Sequence, residues 1–249
     1  MSEERIAILA PRSAIATALM AQLHERGAHI AAIGRDVAGL AAPGAAWRTA
    51  CDLTDFDAVA SALAEAKKAL GGLTGLVNCS GSILLKPAHL TSREDFDSTL
   101  NANLVTAFAV VRSAKAVFGR DAGSVVLVSS AAASFGMGNH EAIAAAKGAI
   151  EGLVRSAAAT YASSGIRFNA VAPGLVETPL SASITAAPAA RKLSESLHPI
   201  GSLGQADDIA SAIAWFLDPA QRWVTGQVLG VDGGLSRVQP RPRVSPAIG

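Results

Sequence analysis

Short apolar runs alternate with segments of helical periodicity along nearly the whole chain. The runs fall at residues 5–10, 28–33, 46–50, 73–79, 124–129, 166–172 and 226–231. Brief, largely continuous apolar stretches of this kind mark strands buried on both faces. Between them, residues 13–26, 56–70, 93–118, 140–162 and 206–217 carry apolar positions at helical spacing. The third of these is one long helix or two joined. Strand–helix alternation over a whole chain leaves few solutions. Parallel strands need crossovers, the crossovers are right-handed, and helices then cover both faces of the sheet. The expectation is an α/β fold: a doubly wound parallel sheet of about seven strands in a single domain, 1–235. Residues 173–204 read as a long loop with short helices, and 236–249 as a loosely ordered proline-rich tail. In such sheets ligands bind beyond the carboxyl ends of the strands, where strand order reverses. The ends of the first, fourth, fifth and sixth strands should therefore converge on one cleft.

Charge narrows the function classes. Lys and Arg number 21 against 20 Asp and Glu, a net charge of +1. That balance offers no field to attract nucleic acid or an anionic membrane surface. No apolar run reaches membrane-spanning length, and residues 1–5 carry no signal-peptide pattern. The expectation is a cytoplasmic protein with no nucleic-acid and no membrane partner. Cys51 and Cys79 have no metal-ligand spacing and read as reduced, buried thiols.

The expected strand ends carry a recurring set of residues: Asp52-Leu53, then Asn78-Cys79-Ser80-Gly81, and Asn103 in the long helix. Ser130 and Lys147 follow, then Pro173-Gly174-Leu175-Val176-Glu177-Thr178 and Val231-Asp232-Gly233-Gly234. In order and spacing these resemble the motifs of the short-chain dehydrogenase/reductase family, over nearly the whole chain. The resemblance implies a Rossmann-type fold and a site for NADP(H) or NAD(H). It implies that Asp52 and Leu53 contact adenine and that Asn103 is the structural asparagine of the long helix. Ser130 would steady a substrate carbonyl, and Lys147 would hold the ribose. The Pro173–Gly174 segment, with Val176 and Thr178, would lie against nicotinamide. Arg35 stands where NADP-preferring members hold the 2′-phosphate. Arg12, Ser13 and Ile15 stand at the helix start that would face pyrophosphate, and Asn78 at the fourth strand end. The long helices and last strand would build homo- or hetero-oligomers, dimers or tetramers.

Two departures bear on function. The family's first turn reads Thr-Gly-x-x-x-Gly-Ile-Gly; here residues 9–16 read Leu-Ala-Pro-Arg-Ser-Ala-Ile-Ala. Those glycines make a tight turn, let the backbone approach pyrophosphate and pack the helix on the strand. A Cβ in a left-handed turn costs about 1–2 kcal/mol. A methyl forced into a packed contact costs about 1–3 kcal/mol. Several kcal/mol correspond to roughly 10²–10⁴ in cofactor affinity. Pro11 also removes a backbone N–H. The helix N-terminus remains and still favours an anion. The second departure is the family's Ser, twelve residues, Tyr-x-x-x-Lys pattern, in which the tyrosine position holds Ile143. Losing a positioned proton donor costs about 10²–10⁴ in rate. His140, three residues before Ile143, reads either as a replacement acid or as a residue of the helix start. Lys147 reads as a base or imine-forming amine, or as an inherited lysine bonded to nearby backbone, including through Asn103.

Three functions follow as expectations. The first is a non-catalytic subunit supporting an active relative, with no or weak NADP(H)/NAD(H) binding. The second is an NADP(H)-dependent carbonyl reductase or alcohol dehydrogenase using Ser130, Lys147 and His140. The third is a cofactor-free lyase or isomerase in the same cleft. Leu175, Val176, Leu180, Ile184 and Leu193 suit a small apolar carbonyl-type ligand. Trp215, Phe216 and Trp223 are expected at the core or a subunit interface, and His198 at a turn.

Overall fold

The computed structural model describes residues 3–37, 42 and 44–239. The strands are β1 (Arg5–Leu9), β2 (His29–Gly34), β3 (Ala45–Ala50), β4 (Gly75–Asn78), β5 (Gly123–Val128), β6 (Ile166–Pro173) and β7 (Val228–Val231). They form one sheet in the order β3-β2-β1-β4-β5-β6-β7, and every neighbouring pair is parallel. Strand order reverses between β1 and β4, which sets the expected ligand crevice at their carboxyl ends.

Alternation within β1 explains why the sheet needs helices on both faces. Ala7 and Leu9 point into one apolar cluster, and Ile6 and Ile8 into the other; all are at most 1% exposed. Successive side chains of a strand face opposite ways, so each face must be covered. Helices α2 (Phe56–Leu70), α4 (Thr106–Phe118) and α5 (Glu141–Tyr161) supply the first cover; α1 (Ala14–Glu25) and α8 (Ala206–Leu217) supply the second. Ser13 caps α1, its Oγ accepting from Ala16 N at 3.1 Å. Asp55 caps α2 through Asp57 N and Ala58 N, and the helix stops at Gly71, whose φ is +71°. Those contacts satisfy backbone groups that a helix end otherwise orphans.

The long helical stretch before β5 is neither one regular helix nor two separate ones. Helix α3 (Arg93–Leu100) runs into a π-helical turn, Asn101–Val105, and then into α4. Such wide turns often occur at functional sites, and this one carries Asn103, fully buried. After β6 come α6 (Ala182–Thr185) and α7 (Pro188–Leu197).

Phe216 is a core residue, 1% exposed, but Trp215 is half-exposed and Trp223 is 90% exposed, so neither tryptophan packs in the core of the chain. Beyond β7, Asp232 accepts hydrogen bonds from Gly234 N and Ser236 N. Residues 240–249 of the expected tail lie outside the described residues. No helix among the described residues is long and apolar enough to cross a membrane.

Candidate active site

The first strand-to-helix turn keeps a glycine-like shape without glycine. Ala10 has φ +59°. Its N–H donates to Ile33 O at 2.9 Å, and its carbonyl accepts from Ser13 N at 3.1 Å. Strand pairing and the helix start thus hold an L-residue in the left-handed region, at about 1–2 kcal/mol. Pro11 is buried against Gly34, where even a Cβ would come within 2.9 Å of the proline Cδ. Arg12 reaches across to the turn after β2. Its Nε donates to Asp36 O at 2.7 Å, and its guanidinium pairs with the Asp36 carboxylate at 3.1 Å. Ala14 lies at the start of α1, and Ala16 is fully buried under the sheet.

A cleft of about 550 Å³ opens over the ends of β1, β4, β5 and β6. Arg12, Ser13, Ile15, Cys79, Asn103, Ser130, Lys147, Val176 and Thr178 line it, as do Ala14 and Ile143. Most of the expected site residues are therefore brought together. Arg35, Asp52, Leu53 and Asn78 are not among the lining residues. Arg35 and Asp52 are exposed and Leu53 is buried. Hydrogen bonds from Thr54, backbone first, hold the Asp52 carboxyl below the usual carboxylate range, and the Arg35 charge adds to this. Asn78 is buried; its amide donates to Thr106 Oγ1 at 3.2 Å and its Oδ1 accepts from Ser80 N at 3.0 Å. It shapes the strand-end turn from within.

Asn103 shapes the next segment. Its Nδ2 donates to Thr99 O (2.9 Å) and Ser82 Oγ (3.1 Å), and its Oδ1 accepts from Ser82 N (3.3 Å). Gly81 passes between this amide and Lys147: a Cβ there would lie 3.0 Å from Asn103 Oδ1 and 3.4 Å from Lys147 Nζ. Lys147 is 6% exposed and donates to Val128 O at 2.7 Å. Burial lowers its pKa to about 8. Burial likewise drives the Cys79 thiol up to about 12. Cys79 is thus neutral near pH 7, and no carboxylate pairs with Lys147 among the described residues. Ser130 Oγ accepts from Ala132 N at 3.2 Å, which leaves its hydroxyl proton to be donated elsewhere.

Ile143 sits on the first turn of α5, one turn before Lys147, and is 4% exposed. It borders the cleft and also a second cavity of about 260 Å³, lined among others by Leu85, Met137, His140, Leu175, Ile184 and Leu197. Leu175, Val176 and Leu180 face the main cleft and Ile184 the second cavity, whereas Leu193 is 64% exposed and lines neither. His140 stands just before α5, and its Nδ1 lies 2.7 Å from Gly138 O. A carbonyl only accepts, so Nδ1 carries the proton and Nε2 of the neutral ring is an acceptor. In that tautomer His140 is a base; acting as an acid requires the imidazolium.

One positioning residue exceeds what a His-Pro pair in a loop signals. His198 is 4% exposed; its Nδ1–H donates to Ser194 O at 2.8 Å and its Nε2 accepts from Leu175 N at 3.2 Å. It ties the end of α7 to the end of β6. Gly174 leaves room for it, since a Cβ there would lie 2.8 Å from His198 Nε2 and 3.0 Å from Asp232 Cα. Gly174→Ala is expected to destabilise the protein by about 1–3 kcal/mol. It should also open residues 179–198 to protease before global unfolding. Urea denaturation with limited proteolysis checks this, and unchanged cleavage would show that the clamp tolerates the methyl.

Comparison with known proteins bears on what this arrangement is. A family model described as Enoyl-(Acyl carrier protein) reductase matches residues 9–236. Inactive 2-(S)-hydroxypropyl-CoM dehydrogenase 2 of Xanthobacter autotrophicus is 36% identical over 224 residues, 85% of this chain and 96% of the relative. Cis-4-hydroxycyclohexanecarboxylate dehydrogenase of Sinomonas cyclohexanicum is 35% identical, over 94% of this chain and 98% of its own length. A solved short-chain type dehydrogenase/reductase from Mycobacterium ulcerans superposes with a TM-score of 0.88 at 28% identity, covering 95% of this chain and 91% of that one. With the strand order, the buried asparagine of the π-helical turn and the shared cleft of Ser130 and Lys147, these matches make the chain a member of the short-chain dehydrogenase/reductase family.

Proposed function

We propose that this chain has lost the family's hydride transfer and serves as a non-catalytic subunit beside an active relative. The observation that carries the reading is Ile143. Its buried side chain occupies the cleft wall one turn before Lys147, where the family pattern places its phenol. A hydrocarbon there neither gives nor takes a proton. The first turn points the same way. It keeps the left-handed backbone at Ala10 but carries a Cβ there, and Pro11 offers no N–H. Arg12, the cation nearest that turn in sequence, is engaged by Asp36. These residues do not fit a dinucleotide pyrophosphate as three glycines would. The name of the Xanthobacter relative, an inactive dehydrogenase, agrees with loss of activity on this scaffold.

A supporting role needs a surface for a partner. Phe108 on α4 (45% exposed) and Leu229 on β7 (40%) leave apolar area open on a long helix and the last strand, which the family uses for assembly, and Trp215 on α8 (42%) adds to it. Calorimetric titration with NADPH and NADH, followed by an assay against small aldehydes and ketones, tests the first half of the reading. No saturable binding up to millimolar cofactor and no turnover are expected; micromolar binding with turnover would overturn it. Affinity purification from the native host tests the second half. An active family member should copurify, and a homo-oligomer alone would remove the supporting role.

A further inference from the structure

We infer that Lys147 is an imine-forming amine: the cleft captures small aldehydes or ketones covalently, without a cofactor. The inference rests on the reading above in one respect, that no dinucleotide ribose occupies the lysine.

Three features of the cleft carry it. The first is access. Lys147 and Ser130 line the same cleft of about 550 Å³, so a ligand entering it meets both residues. The second is the lack of a competing partner. The ammonium donates to one neutral carbonyl, Val128 O. The nearby Cys79 is a neutral thiol, and no carboxylate pairs with the lysine among the described residues. The third is the apolar wall. Ile143, Leu175 and Val176 line the same cleft and favour an apolar, uncharged ligand over water. Burial brings the lysine down to about 8. At pH 8 about half of its molecules are therefore free amine, against roughly one in 250 for an ordinary lysine of pKa near 10.4.

The step balances without an oxidant or reductant. Lys147 first gives one proton to solvent. Its nitrogen lone pair forms the C–N bond while the carbonyl π pair moves to oxygen, and one proton passes from the nitrogen to that oxygen through solvent. Ser130, whose Oγ already accepts from Ala132 N, donates a hydrogen bond to that oxygen. The resulting carbinolamine loses hydroxide together with the nitrogen-bound proton, as one water. The C=N bond remains.

The test treats the full-length protein with cyclohexanone or hexanal and sodium cyanoborohydride at pH 8. Peptide mapping then compares Lys147 with the other lysines, Lys67, Lys68, Lys86, Lys115 and Lys192. The trapped imine becomes a stable secondary amine. Lys147 is expected to be labelled at least about tenfold faster than Lys192, a margin below the full difference in free amine because a less basic amine is also less nucleophilic. Labelling of Lys147 no faster than Lys192 overturns the inference. A parallel reaction with millimolar NADPH separates the two readings. Loss of Lys147 labelling only when NADPH is present would end the reading of a lost cofactor site while the imine stands. Labelling unaffected by NADPH supports both.

Discussion

The variant A10G/A14G/A16G/I143Y is expected to oxidise NADPH or NADH with a small ketone about 10²–10⁴-fold faster than I143Y or the triple glycine variant alone. On the proposed reading, two separate sites keep this chain from hydride transfer. One, the turn after β1, sets affinity; the other, the first turn of α5, sets proton transfer. Repairing either alone leaves the other limiting. The turn is already shaped for glycine: Ala10 sits at φ +59°. Removing its Cβ therefore asks for no backbone movement. Ala14 lines the cleft at the start of α1, where the family pattern has a glycine. Ala16 is fully buried, and its replacement costs about 1 kcal/mol of helix propensity plus a small void. The variant should be less stable than the parent for that reason and still fold. Ile143 borders the main cleft, so a phenol at that position has space to extend towards the Ser130 and Lys147 side. Steady-state rates read from the reduced nicotinamide check the expectation. If the variant binds cofactor and remains inert, the lesion lies elsewhere, and the Arg12–Asp36 bridge is the next place to cut.

Lys147→Met should raise stability near pH 7 by about 1–3 kcal/mol, and the gain should vanish by about pH 10.5. The sign follows from burial. Lys147 has a folded pKa of about 8, below its unfolded value of 10.5. Below pH 8 both states bind the proton and the folded state carries the full cost of a desolvated ammonium. Between pH 8 and 10.5 the unfolded chain binds more protons than the folded one, so the wild type gains stability as pH rises through that window. Methionine has similar shape and no charge, so it is spared the cost at every pH; it forfeits only the hydrogen bond to Val128 O. Cys79 works in the opposite direction. Its folded pKa of about 12 lies above the unfolded value of 9.0, so it withdraws stability as pH climbs from 9 to 12. The wild-type curve alone mixes the two, and the difference between wild type and variant isolates the lysine. Equal stabilities at pH 7 would mean that the ammonium is better solvated in the cleft than its 6% exposure implies.

Much of the arrangement was legible because it is local. Runs such as RIAILA at 5–10 state a strand by continuity alone, and the strand-end motifs place Ser130, Lys147 and Asn103 by spacing. The residues that escaped depend on contacts between distant segments. Arg12 and Asp36 each follow a different strand, and only the parallel pairing of Leu9 with Ile33 sets those two turns side by side. His198 has no patterned neighbour in sequence; its role comes from the strand end that it meets, at Leu175 N. The π-helical turn at Asn103 has the composition of ordinary helix, and its widening goes with a buried amide bonded both to Thr99 O and to the Ser82 segment. Arg35 and Asp52 stand just beyond β2 and β3, at the strand ends that the sequence indicates, but outside the cleft lining.

The turn at Ala10 carries a wider consequence. Its left-handed backbone is held from outside, by Ile33 O on one side and Ser13 N on the other. The sheet acts as a mould, and the residue cast in it bears a tension of about 1–2 kcal/mol. A fold stable by about 5–15 kcal/mol bears that load without loosening. On the proposed reading, the shape of a nucleotide turn stands here as a dihedral angle without its glycine, held by the sheet and not by the residue type.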